Sequence, residues 1–139
     1  MRTEKFTFTI GVTPGYSHNN ENADTSFIEM VDAAARIIEE DYGYYISFNI
    51  VPTTTLYKEE WGCPAGGEKT YQLSAVRNPI FAPNKNKWQL CCSLVANHLR
   101  VVLDQTTVTG EFSEVEMSYF NNDFIISEGD SYEKNVDCN

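Results

Sequence analysis

Four segments with a two-residue hydrophobic period and two with a helical period follow one another in the order β-α-β-β-α-β. This order predicts an α+β fold of the ferredoxin-like, split βαβ type: an antiparallel four-stranded sheet with two helices on one face. Some other two-layer α+β fold with the same element order is the alternative. Two segments carry most of the prediction. Residues 4–12 alternate cleanly as a half-buried strand, and residues 88–103 hold one apolar stripe over about four turns. At 139 residues the chain has the length of one domain. Residues 1–126 are read as that domain and 127–139 as an acidic, flexible C-terminal tail.

In the first strand Phe6, Phe8, Ile10 and Val12 share one face, with Thr7, Thr9 and Gly11 opposite. Thr13–Asn22 is a polar loop. A helix follows, with Ser26 and Glu29 at capping-box spacing and Phe27, Ile28, Val31, Ala34, Ala35 and Ile38 on one stripe. Glu39, Glu40 and Asp41 crowd its last turn against the helix dipole, and Gly43 is the natural stop. Tyr44–Val51 is expected as a second strand, with Thr53–Tyr57 extending it beyond Pro52, which suits an edge position. Lys69–Val76 reads as the third strand, opposing Tyr71, Leu73 and Ala75 to Gln72, Ser74 and Val76. The second helix carries Trp88, Cys91, Cys92, Val95, Leu99, Val102 and Leu103 on its stripe, with Asn84 or Asn86 to cap it. Thr107–Phe112 is the fourth strand. The alternation slips at Ser113–Glu114 and resumes at Val115, which suggests a bulge. Phe124–Ile126 adds a short extra strand.

The first and third strands are expected as parallel neighbours at the centre of the sheet. That arrangement sets Thr13–Asn22 and Arg77–Asn86 side by side at one end, with the Trp61–Glu68 loop at the other end or across the open face. The open face carries Thr7, Thr9, Tyr45, Asn49, Gln72 and Ser74, a polar-aromatic surface suited to a ligand or a second subunit.

Hydrophobic residues make up 42% of the chain, enough for a core, and aromatics at 13% argue against disorder over most of its length. The formal charge of −10 disfavours a general nucleic-acid binder, which needs Lys and Arg for phosphate contacts. The charge is uneven: residues 111–139 net −7, whereas residues 57–87 net +2 and hold half of the cationic side chains. No run approaches membrane-spanning length, and the N-terminus lacks the apolar core of a signal peptide. Cys63, Cys91, Cys92 and Cys138 form no CxxC pair and no zinc spacing, so free thiols in a reducing cytoplasm, no metal and no cofactor are expected.

Unusual backbone concentrates in Trp61–Pro79, WGCPAGGEKTYQLSAVRNP. Gly62–Gly67 resembles no phosphate loop, because Glu68 stands where a Lys is wanted and no helix begins there. The segment is either a wide hairpin connection or a binding loop that presents backbone N–H groups. In the binding reading, Tyr57 and Trp61 stack on a ring, Gly66 and Gly67 expose amides, and Lys69, Arg77 and Asn78 meet an anion, Arg77 by its bidentate fork. The competing account of Arg77 is a surface salt bridge. A Cys63 nucleophile needs a base, and His18 and His98 are the only histidines.

No set of residues forms a catalytic constellation. The expectation is therefore a non-enzymatic binding protein, a homo-oligomer that captures a small anionic, ring-containing ligand such as a nucleotide or nucleotide-derived signal, in the manner of a viral or phage sequestering protein used against host defence. Two alternatives stand beside it: an acidic protein-interaction inhibitor or nucleic-acid mimic built on the C-terminal third, and a small ferredoxin-like enzyme using Cys63 or His18.

Overall fold

The computed structural model describes residues 1–12 and 23–123. In chain order these form β1 (Arg2–Gly11), α1 (Ala23–Tyr42), β2 (Asn49–Thr55), a short 3-10 turn at Glu59–Trp61, β3 (Glu68–Val76), α2 (Lys85–Val102) and β4 (Gly110–Glu116). The sheet order is β2-β3-β1-β4, every pairing is antiparallel, and the fold is the ferredoxin-like α+β type.

The two periodicities build the core. Phe6, Phe8 and Ile10 of β1 and Tyr71, Leu73 and Ala75 of β3 are all buried on one face. Phe27, Val31, Ala34 and Ile38 of α1 and Trp88, Cys91, Cys92, Val95 and Leu99 of α2 close over them. The Phe27 ring stacks on Tyr71 with centroids 4.0 Å apart. The Tyr71 hydroxyl donates to Asp24 in the first turn of α1, and that bond leads the causes holding the Asp24 carboxyl below its usual range. The opposite face stays open, with Thr7 beside Ser74, Thr9 beside Gln72 and Asn49 beside Ser74.

Several local expectations change. The first helix is already formed at Ala23, so Ser26 lies inside it and is not its cap. Gly43 does end it, at φ 88° with its N–H on the Glu39 carbonyl. The second strand begins at Asn49 rather than Tyr44. Tyr44 accepts from the Asn84 N–H and Tyr45 donates to Asp32, so this run is tied to the helices rather than to a ladder. Pro52 is accommodated because β2 is an edge strand paired only to β3. Asn84 caps α2 through Lys87 N–H, while Val102 is half exposed and Leu103 alone turns inward at the helix end. β4 has no bulge: its register runs unbroken from Arg2↔Glu116 to Phe8↔Gly110. Its alternation is blurred because, as a second edge strand, it exposes residues of both faces. The expected strand at Phe124–Ile126 and the tail lie outside the described residues.

The largest correction concerns direction. β1 and β3 are antiparallel neighbours, because the crossover through α1 sets β2 parallel in direction to β1 and the β2–β3 hairpin then reverses the chain. The exit of β1, the β2–β3 loop and the connection into β4 therefore share one end of the sheet. The segment after Arg77 lies at the other.

Candidate functional site

The β2–β3 connection is the hairpin its glycines suggested. Gly62 closes the 3-10 turn in the left-handed region at φ 101°, and Gly67, at φ 96°, donates to the Pro64 carbonyl at 3.0 Å. This folding returns Tyr57 over the start of β3, where its hydroxyl donates to Glu68 Oε1 at 2.6 Å. That bond is the leading cause pushing the Tyr57 phenol up to about 12.

Glu68 pairs with Thr55, which sets it on the open face, and its other oxygen lies against Gly11 of β1. Below it, the buried Thr70 hydroxyl bonds to Thr53 Oγ1 at 2.8 Å and Thr55 Oγ1 at 2.9 Å. Gln105 approaches from the α2–β4 connection, where its amide donates to the Leu103 carbonyl at 3.2 Å and its Oε1 also faces Gly11. These groups, with Trp61 and Thr106–Thr109, line a cleft of about 550 Å³, within the range of roughly 300–1,000 Å³ usual for small-ligand sites. Trp61 is 74% exposed, with the Lys58 ammonium 5.9 Å from its ring. The cleft thus offers an aromatic plane, hydroxyls and one fixed carboxyl.

The structure divides the residues singled out from the sequence. Tyr57 and Trp61 line this cleft. Gly66, Gly67 and Lys69 line a separate shallow groove with Pro52, Thr53 and Thr54. The Lys69 ammonium is 3.4 Å from Asp24 and lies over the Tyr71 ring, so its charge is engaged. Arg77 and Asn78 are at the opposite end of the sheet. Arg77 is buried, its Nε donating to Glu4 Oε1 at 2.6 Å and its Nη1 to the Ala82 carbonyl at 2.9 Å. It is an internal clasp between β3 and β1, and Asn78 closes a turn through Ile80 N–H.

The buried Cys63 thiol donates to the Pro64 carbonyl. His98 is half-buried on α2, and His18 lies outside the described residues. No cluster that would hold a metal ion occurs among the described residues. Glu68, Gly11, Gln105 and Thr70 were missed by sequence reasoning. Their signal was present: an acid directly after a double glycine, and threonines recurring at 53, 55 and 70. Glu68 was read only as an argument against a phosphate loop.

Fold and cleft together define a small α+β protein with a ligand-sized site on the open face of its sheet. The chain belongs to the SAM lyase family, whose model matches residues 1–121. In fold it is similar to a phage SAM lyase in complex with S-methyl-5'-thioadenosine, at 17% identity over 81% of each chain with a TM-score of 0.55. It is similar also to a phage SAM lyase in the apo state, at 13% identity over 86% of this chain and 94% of that one, again with a TM-score of 0.55. No curated protein matches the chain. Family membership overturns the expectation of a non-enzymatic binder of an anion, because the family is one of enzymes that degrade S-adenosylmethionine (SAM). Among the described residues, no helix is long and apolar enough to cross a membrane.

Proposed function

We propose that the chain degrades SAM in the Tyr57–Glu68 cleft. The observation that carries this reading is a carboxyl held by a tyrosine hydroxyl at 2.6 Å inside a ligand-sized cleft, in a chain of this family. SAM is cationic at its sulfonium and its ammonium. A chain of net charge −10 draws such a substrate by its long-range field.

S-methyl-5'-thioadenosine, the molecule bound in the similar phage lyase, is what remains of SAM when the bond from sulfur to Cγ of the amino-acid moiety breaks. Sulfur keeps the electron pair and leaves neutral. A lyase adds no water, so the four-carbon fragment satisfies itself, by closing its own carboxylate onto Cγ or by losing a Cβ proton. The sulfonium charge vanishes as the bond breaks. A carboxylate placed against sulfur would therefore favour the ground state over the transition state. The α-ammonium keeps its charge throughout, and we assign Glu68 to it. Tyr57 orients the Glu68 carboxyl, Trp61 offers a plane for adenine, and the threonine hydroxyls suit the ribose.

A homo-oligomer is part of the proposal, since Leu56, next to Tyr57 in the chain, and Trp61 of the cleft are exposed, at 81% and 74%. So are a cytoplasmic setting, consistent with the free Cys63, Cys91 and Cys92, and a phage anti-defence use.

The test is mass spectrometry of SAM incubated with the purified chain. S-methyl-5'-thioadenosine should appear as SAM disappears, with a four-carbon product that has gained no water, and Glu68→Gln should suppress both. SAM bound but unchanged would return the chain to the binders.

A further inference from the structure

We infer that Gly11 is a positioning residue: its missing side chain is the space in which Glu68 seats its carboxyl on β1, within reach of Tyr57. This rests on the reading of the cleft as the SAM site. Gly11 ends β1, paired with Thr70. Its backbone does not require glycine, for the positive-φ glycines are Gly43, Gly62, Gly66 and Gly67. A Cβ added at Gly62 or Gly66 would meet nothing within 4 Å, whereas one added at Gly11 would overlap Glu68 Oε2. It would also lie 3.2 Å from Glu68 Cδ and 3.1 Å from Gln105 Oε1.

Glycine weakens a strand relative to alanine, so its presence in FTFTIGV calls for a reason other than stability. The obstructing atoms are the far ends of two side chains, not backbone. Alanine at this position is therefore accommodated by Glu68 swinging out of its seat, with β1 and its pairing intact. The loss falls on the site and spares the fold.

The experiment compares Gly11→Ala with the wild-type chain in three readouts: thermal unfolding, turnover of SAM, and titration of the Tyr57 phenol by NMR of 13Cζ-labelled tyrosine. Unfolding should be unchanged or shifted upward. The kcat/KM should fall about 100-fold, within the roughly 10- to 150-fold span of a lost charge-assisted hydrogen bond. The Tyr57 phenol should titrate below its wild-type value, back toward 10. In a Glu68→Ala background, Gly11→Ala should change the residual kcat/KM by less than twofold, because the overlapping carboxyl is gone and Gln105 Oε1, at 3.1 Å, need give only slightly.

Wild-type kcat/KM in Gly11→Ala, an unmoved Tyr57 titration, or the same fold-loss in the Glu68→Ala background would each overturn the inference. If Gly11→Ala fails to fold, adding Glu68→Asp, which shortens the obstructing side chain, should restore folding; no restoration would overturn it. Failure of the underlying reading looks different: the wild-type chain and Glu68→Ala would then convert SAM equally or not at all, and the Tyr57 titration alone would decide whether Gly11 seats Glu68.

Discussion

Tyr57 and Glu68 meet across the β2–β3 hairpin, with the phenol donating to the carboxyl at 2.6 Å. Eleven positions separate them in the chain, and the left-handed glycines of the loop bring them together. The pair fixes a carboxyl in the cleft through a neighbouring side chain.

If Glu68 receives the substrate ammonium, Glu68→Gln removes a charge-assisted hydrogen bond of about 1.5–3 kcal/mol, or roughly 10- to 150-fold in kcat/KM. Tyr57→Phe should cost less, about tenfold, because the charge stays and only its orientation is lost. The double variant should be no worse than Glu68→Gln alone, since Tyr57 acts through Glu68. Steady-state kinetics of the three variants checks this; fully additive losses would separate the two residues.

The Tyr57 phenol is raised from 10 to about 12 because its neutral form donates to Glu68. The folded state therefore holds this proton more tightly than the unfolded chain. The stabilisation is complete below pH 10 and is lost as pH rises through 12. Tyr57→Phe should flatten this part of the alkaline stability profile. Urea midpoints measured between pH 9 and 12 check it, and equal slopes for the two proteins would refute the assignment.

Arg77 is buried with Glu4, their side chains 10% and 12% exposed, and its guanidinium also serves the Ala82 carbonyl. Arg77→Met leaves Glu4 without that partner and should cost about 3–5 kcal/mol of stability. Kinetics at low temperature should be within about twofold of wild type, because the pair lies at the end of the sheet away from the cleft. A lower urea midpoint with unchanged slope is the expected reading.

Burial pushes the Cys91 and Cys92 thiols up, which leaves little thiolate near neutral pH. In a Cys138→Ser background neither should react with a disulfide reagent until the chain unfolds. Cys63→Ser should leave turnover within about twofold, because the Cys63 thiol is occupied by the Pro64 carbonyl. A loss of 100-fold or more would reinstate Cys63 as a nucleophile.

The sequence by itself determined what depends on neighbours in the chain. Phe6, Phe8 and Ile10, and again Tyr71, Leu73 and Ala75, declared their buried face because side chains alternate along any strand. The Trp88–Leu99 stripe declared its face by the helical period, and Gly62–Gly67 declared a turn. The element order then carried the fold class, since few topologies accommodate it.

Strand direction was implied by the same order, since a crossover through α1 sets β2 along β1 and a hairpin reverses β3, and the expectation of parallel neighbours overlooked it. That direction decided the site. It put Tyr57 and Trp61 at the exit of β1 and sent Arg77 to the far end. Arg77 looked free for a ligand because Glu4, its partner, is 73 residues away. Glu68 looked like an interruption because Gly11, which leaves it room, belongs to another strand. Periodicity records which way a side chain points relative to its own backbone, whereas the group it meets is set by tertiary packing.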